Sequence, residues 1–168
     1  MTYRPHSVDR KAPLFAALCA LFAVASFSFS AHVSHAALVY QLAALVLAVT
    51  ALEVYLKYVA CDYLYKAGEN ELMVYRITGK KSICVCSLSY EESVSNVVDA
   101  AHVSKNSAQF PRYRLAVNAC KNLFPKEYAL YYFNFNGKVA RLKFEPDADF
   151  IRHVNQKIHE AESRKTDE

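Results

Sequence analysis

The chain has 168 residues, 21% of them charged, with a net charge of +4 at pH 7, 3 Gly, 5 Cys and no Trp. Those averages are globular, yet from Ala12 to Leu52 there is no Asp, Glu, Lys or Arg, a run of 41 residues. No small water-soluble core buries so long an uncharged stretch, which excludes an ordinary cytoplasmic protein, a disordered chain and a disulfide-stapled secreted peptide.

Residues 1–11 read as an N-terminal tail and residues 12–60 as a transmembrane hairpin. A spanning helix needs about 20 mainly apolar residues, so the run holds two. The first lies at about Ala12–Ala31 and the second at about Ala36–Leu56, with His32-Val33-Ser34-His35 as the turn between them. Pro13 sits near the start of the first helix, where a missing N–H costs nothing. Ala12, Ala16 and Ala20, and then Ala44, Ala48 and Ala51, are spaced for close backbone approach, within the hairpin or between copies. Arg4, Arg10 and Lys11 precede the spans, Lys57 and Lys66 follow them, and the turn has no Lys or Arg. The positive-inside rule then puts both ends in the cytoplasm of a multi-pass inner-membrane protein. Glu53 and Lys57 are spaced for a pair, and Tyr55, Tyr58, Tyr63 and Tyr65 for an interfacial belt. A cleaved secretory signal ending near Ser34-His35-Ala36 is the rival reading; its apolar core is too long, and a second apolar stretch follows at once.

Beyond Cys61 the pattern alternates. Strands are predicted at Cys61–Lys66, Glu71–Thr78, Lys81–Leu88, Ser93–Val98, Tyr113–Ala119, Tyr128–Phe135 and Lys138–Phe144. Turns at Ala67–Asn70, Gly79-Lys80 and Asn136-Gly137 make three antiparallel hairpins, Asn-Gly being the strongest such signal because both positions favour a left-handed backbone. Asp99–Pro111 is polar and reads as an exposed loop. After Pro146 an amphipathic helix is expected, with Ile151, Val154, Ile158 and Ala161 as its apolar stripe and Asp147 and Asp149 at its positive end. The stripe needs a cover, and the sheet is the obvious one. The resulting fold class is α+β: a two-helix transmembrane hairpin, then a seven-stranded antiparallel barrel or sandwich capped by a C-terminal helix. Its bounds are 61–162, with residues 163–168 as a charged tail.

This plan resembles the small bacterial membrane proteins that carry a PH-like domain, and the related YcxB-like group. The residues that carry the likeness are Tyr75–Lys81 with Leu88–Glu92, Leu115–Phe124 leading into Pro125, Tyr131–Phe133, and Lys143–Asp147. The resemblance implies a PH-like barrel with no settled biochemical role.

No catalytic constellation is present: there is no Gly-rich phosphate loop, H-E-x-x-H or G-x-S-x-G. Glu91-Glu92 reads as a solvated turn, and His32 and His35 are too few for a closed metal site. The odd cysteine count and lack of C-x-x-C argue for reduced thiols. Cys84-Val85-Cys86 would set two thiols on one strand face, where they act as small hydrophobes. No catalytic residue, metal or cofactor is therefore expected. From Asp62 onward 16 Lys and Arg face 14 Asp and Glu, too even a balance for nucleic acid. Local basic groups remain: Arg76 with Lys80 and Lys81, Arg112 and Arg114 around Tyr113, and Arg141 alternating with Lys143. In lipid-binding PH domains basic residues of the first strands meet the headgroup, which makes Arg76, Lys80 and Lys81 the nearest counterparts, although the first hairpin turn here is acidic. The expected function is a non-enzymatic membrane-anchored module that meets a protein partner or its own copies. The alternatives are anionic lipid-headgroup binding and an accessory subunit of a membrane complex.

Overall fold

Two helices take up the uncharged run, and two sheets with a third helix take up the rest. The computed structural model describes residues 1–6, 11–100 and 110–166. Its elements are β1 (Thr2–Tyr3), α1 (Lys11–Ser30), α2 (Ala37–Val54), β2 (Cys61–Ala67), β3 (Glu71–Thr78), β4 (Lys81–Ser89), β5 (Val98–Asp99), β6 (Leu115–Asn118), β7 (Ala129–Phe135), β8 (Lys138–Phe144) and α3 (Ala148–Thr166). Arg10 and residues 101–109, including His102 of the expected loop, lie outside the described residues. The chain divides into one unit of Met1–His6, Asp62–Lys121 and Pro125–Glu168, and another of Ser7–Cys61 and Asn122–Phe124.

In the helical unit, α1 buries Ala12, Ala16, Cys19, Ala23 and Ser30, a stripe stepping alternately by four and three residues at its start. That period keeps one narrow face of a helix against its partner. Small residues there let the backbones approach while Leu14, Leu21, Phe22, Leu42, Leu45 and Val49 point outward. The uniform four-residue spacing fails beyond Ala16: Ala20 and Ala48 are exposed, and Cys19 and Ala23 take the buried places. Two hydroxyls bond within their own helices, Ser30 Oγ to Phe27 O at 2.6 Å and Thr50 Oγ1 to Val46 O at 2.8 Å. Both helices are long and apolar enough to cross a membrane. A widened π-helical turn, Tyr55–Val59, ends the second one, with Ala60 N donating to Tyr55 O at 2.9 Å. Lys57 lies over the Tyr58 ring, 5.4 Å from its centroid, and makes no ion pair with Glu53.

The sheet unit has eight strands among the described residues, not seven, in two four-stranded sheets ordered β1-β2-β3-β4 and β5-β7-β8-β6. The extra strand comes from the expected tail: Thr2 and Tyr3, before α1, pair antiparallel with Lys66 and Tyr65, after α2. A second departure from the expected plan is β6, which pairs parallel with β8 from Leu115–Ala140 to Asn118–Lys143. Of the expected Ser93–Val98 strand only a bridge from Ser93 to Phe133 and Val98, the first of the two residues of β5, remain. The β3–β4 and β7–β8 hairpins turn where the glycines predict, with Gly79 at φ +59°, Asn136 at φ +50° and Gly137 at φ +73°.

Alternation sorts the strands. Tyr63, Tyr65 and Ala67 of β2, Leu72 and Val74 of β3, and Ala140, Leu142 and Phe144 of β8 all face one core. Phe150, Val154 and Ile158 of α3 complete it and are fully buried, each burial worth about 1.5–3 kcal/mol. Asp147 caps α3, its Oδ1 accepting from Phe150 N at 2.8 Å, and Pro146 stands just outside the cap. Two of the four tyrosines expected at the membrane interface, Tyr63 and Tyr65, belong to this core instead.

Candidate functional site

The seven expected basic residues fall on two separate surfaces. Arg76, Lys80 and Lys81 share the β3–β4 hairpin, and all three are exposed. Arg76 pairs with Ile83 and Thr78 with Lys81, on the strand face that closer to the core carries Leu72 and Val74. Beyond the core that face is open, and Ile83 is 53% exposed. Between Cys84, which pairs with Tyr75, and Cys86, which pairs with Val74, the residue Val85 has no partner. This bulge, invisible in the sequence, turns the strand over. The two thiols therefore do not share a face: Cys84 is exposed, whereas Cys86 packs on the core. Burial, and secondarily Cys84, pushes the Cys86 thiol up to about 12.

Arg141 and Lys143 lie on the outer face of β8, with Arg112 and Arg114 exposed on the segment leading into β6. Here aromatic rings form a second layer. Phe110 stacks on Tyr132 with centroids 5.8 Å apart, and Tyr113 meets the same ring at 6.4 Å. The Arg141 guanidinium sits 3.8 Å above the Tyr113 ring, and Lys143 Nζ 3.8 Å above Tyr128. Both cations thus gain ring attraction of about 0.5–2 kcal/mol. Arg141 Nε is buried and makes no hydrogen bond. Register explains the gathering: Tyr132 and Ala116 flank Arg141, and Leu130 and Asn118 flank Lys143, on the two neighbouring strands.

A third charged group escapes sequence reasoning. Asp62 Oδ2 accepts from Arg4 Nη2 at 2.9 Å and Asp62 Oδ1 from Lys121 Nζ at 2.8 Å, so the carboxylate joins the segment before α1 to two points after α2. Lys121 is only 6% exposed, and its backbone N donates to Glu145 Oε2 at 3.1 Å. Tyr65 Oη accepts from Glu145 N at 3.2 Å and donates to Ala119 O at 2.8 Å, which closes a buried polar network. The Lys121 hydrogen bond outweighs burial and, with the charges of Lys121 and Arg4, holds Asp62 below the usual carboxylate range. Burial raises the Tyr65 hydroxyl above its ordinary value. The only sequence signal was an acid placed directly after an apolar helix.

An open pocket of about 460 Å³ at the β2–β3 turn is lined by Lys66, Glu69, Asn70, Glu71, Met73 and Ser89. Its two carboxylates make it a poor place for an anion. Among the described residues no group of three His, Cys, Asp or Glu could hold a metal ion. No family model, curated protein or solved structure matches the chain. The geometry available for chemistry is thus two cationic surfaces, one backed by aromatic rings and one by exposed aliphatic side chains.

Proposed function

We propose that the chain is a non-enzymatic membrane anchor that presents a PH-like sheet module to a protein partner or to further copies of itself at the cytoplasmic face of a bacterial inner membrane. The observation that carries this reading is the pairing of β1 with β2. Both ends of the apolar hairpin enter one sheet, as they must if two spans return the chain to the side on which it started. Charge supports the orientation, because Arg4, Lys11, Lys57 and Lys66 flank the spans while the turn at residues 31–36 has no Lys or Arg. Two sheets with a C-terminal helix buried against them support the PH-like reading, with β1 and the parallel β6 as departures from its plan.

The surface best suited to a partner is the outer face of β8. Arg112 and Arg114 are exposed beside cations already held by Tyr113 and Tyr128, so an acidic segment would meet preordered charge rather than mobile side chains. Confinement to the membrane raises the local concentration of such a partner. A photo-crosslinking amino acid at Arg112 or Arg114, activated in intact cells, tests this. A discrete protein adduct, weakened when Arg141→Glu is added, is the expected result. Labelling no stronger than that of a control at exposed Glu162 would overturn it.

A further inference from the structure

We propose that the loop Asn122–Phe124 is a third point at which the chain enters the bilayer, with the Phe124 ring among lipid acyl chains at the rim of the membrane. The bilayer is met there through apolar burial and not through charge. The proposal rests on the reading of α1 and α2 as membrane spans but does not depend on the partner surface at β8.

Three observations carry it. The loop belongs to the helical unit, although the chain on either side of it belongs to the sheet unit. Within the helical unit Leu123, with Tyr58 and Val59, packs on the cluster that Ala12 and Ala16 of α1 form with Val54 of α2. That seat has a depth. The 20 residues of α1 extend about 30 Å, which is the thickness of the hydrocarbon core itself. A span with no length to spare has its first turn at the lipid boundary, and Ala16 lies beyond the first turn of α1. Leu123 is therefore held at the boundary. Phe124 follows it and is 56% exposed, a large apolar ring left uncovered by the protein, as Tyr55 and Leu56 are at the end of the second helix. An aromatic ring suits that level.

A second protein chain packed on Phe124 is the competing occupant. Depth opposes it, because lipid already fills that level around a two-helix anchor. The insertion is limited to side chains, since backbone outside helices and closed sheets is not tolerated against hydrocarbon. The loop is short enough to obey this limit: Lys121 is held by Asp62 at 2.8 Å before it, and exposed Lys126 stands two residues after Phe124. A base fixed in this way presents the ring with little further ordering.

The chain has no Trp, so Phe124→Trp makes a single reporter at the proposed contact. The full-length variant is incorporated into nanodiscs of phosphatidylcholine, either plain or brominated high on the acyl chain. The expected result is blue-shifted emission that brominated lipid quenches and aqueous acrylamide barely reaches. It should persist in about 0.5 M NaCl, because salt screens charge and not the burial of a ring. Adding Leu123→Ser removes the seat and should move the emission to the red with less quenching by bromine. Phe135→Trp, at an exposed ring of β7, should emit in the red and be quenched by acrylamide but not by bromine. Red emission open to acrylamide at position 124 overturns the proposal alone, as does equal bromine quenching at positions 124 and 135. Blue emission without bromine quenching overturns it in favour of a protein contact, and a signal lost in salt overturns it in favour of adsorption by charge. Failure of the chain to enter nanodiscs overturns the membrane anchor and this proposal with it.

Discussion

Tyr65 shows how one hydroxyl holds several elements together. It bonds to Ala119 and Glu145, and its ring lies edge-on to Phe144 at 5.3 Å and stacked with Tyr3 at 6.2 Å. Tyr65→Phe keeps the rings but leaves a buried carbonyl and a buried amide short of a partner, and should cost about 1–3 kcal/mol in denaturant unfolding followed by tyrosine circular dichroism. Asp62 governs the response to acid. Its folded pKa lies below the ordinary 3.8, so its pairing stabilises at and above that value and is lost as pH falls through the folded one. Asp62→Asn should therefore flatten the acid limb of a stability–pH profile below about pH 4. At neutral pH it should remove about 0.5–1 kcal/mol, a figure kept low by the water around a half-exposed carboxylate. A variant with an unchanged acid limb would show that other groups carry it.

At the scale of elements, α3 and α1 offer contrasting tests. Ile158 is fully buried in the core of the sheet unit, and Ile158→Ala should cost about 2–5 kcal/mol of sheet-unit stability. In the helical unit, Ala16→Leu places bulk where α1 meets α2 and should cost about 1–3 kcal/mol, while Ala20→Leu points outward and should be tolerated. Thermal unfolding in detergent reads both, and equal effects of the two leucines would contradict the helix pairing. These elements were legible in the sequence because each depends on local pattern. The spans are uninterrupted apolar runs, Gly79 and Asn136-Gly137 demand left-handed turns, and the stripe of α3 recurs at three and four residues. What escaped depends on distant neighbours. Strand β1 is two residues long and has no alternation to read. The parallel partner of β6 is set by where the chain returns after a long connection, and the Val85 bulge by a mismatch with β3. Of the candidate site, the residue types were visible but their division between two surfaces was not. The Asp62 network was missed because Arg4, Lys121 and Glu145 are joined by no motif.

For the whole molecule the proposed topology has a direct readout. Cys84 is exposed in the sheet unit, so a membrane-impermeant maleimide should label it only after cells are opened, and labelling in intact cells would reverse the assigned orientation. The protein should also stay in the membrane fraction through alkaline carbonate extraction, and release into the supernatant would remove the anchor from the account.

The register of Thr2 with Lys66 has a bearing on biogenesis. Under the proposed transmembrane topology, β1 leaves the ribosome dozens of residues ahead of its mate, and both apolar helices must enter lipid before the two can meet. A molecule arrested with a single segment inserted would strand them on opposite sides, leaving the border of β2 bare and Tyr65 without Tyr3. Under that topology, closure of the border would be completed only in molecules with both helices inserted.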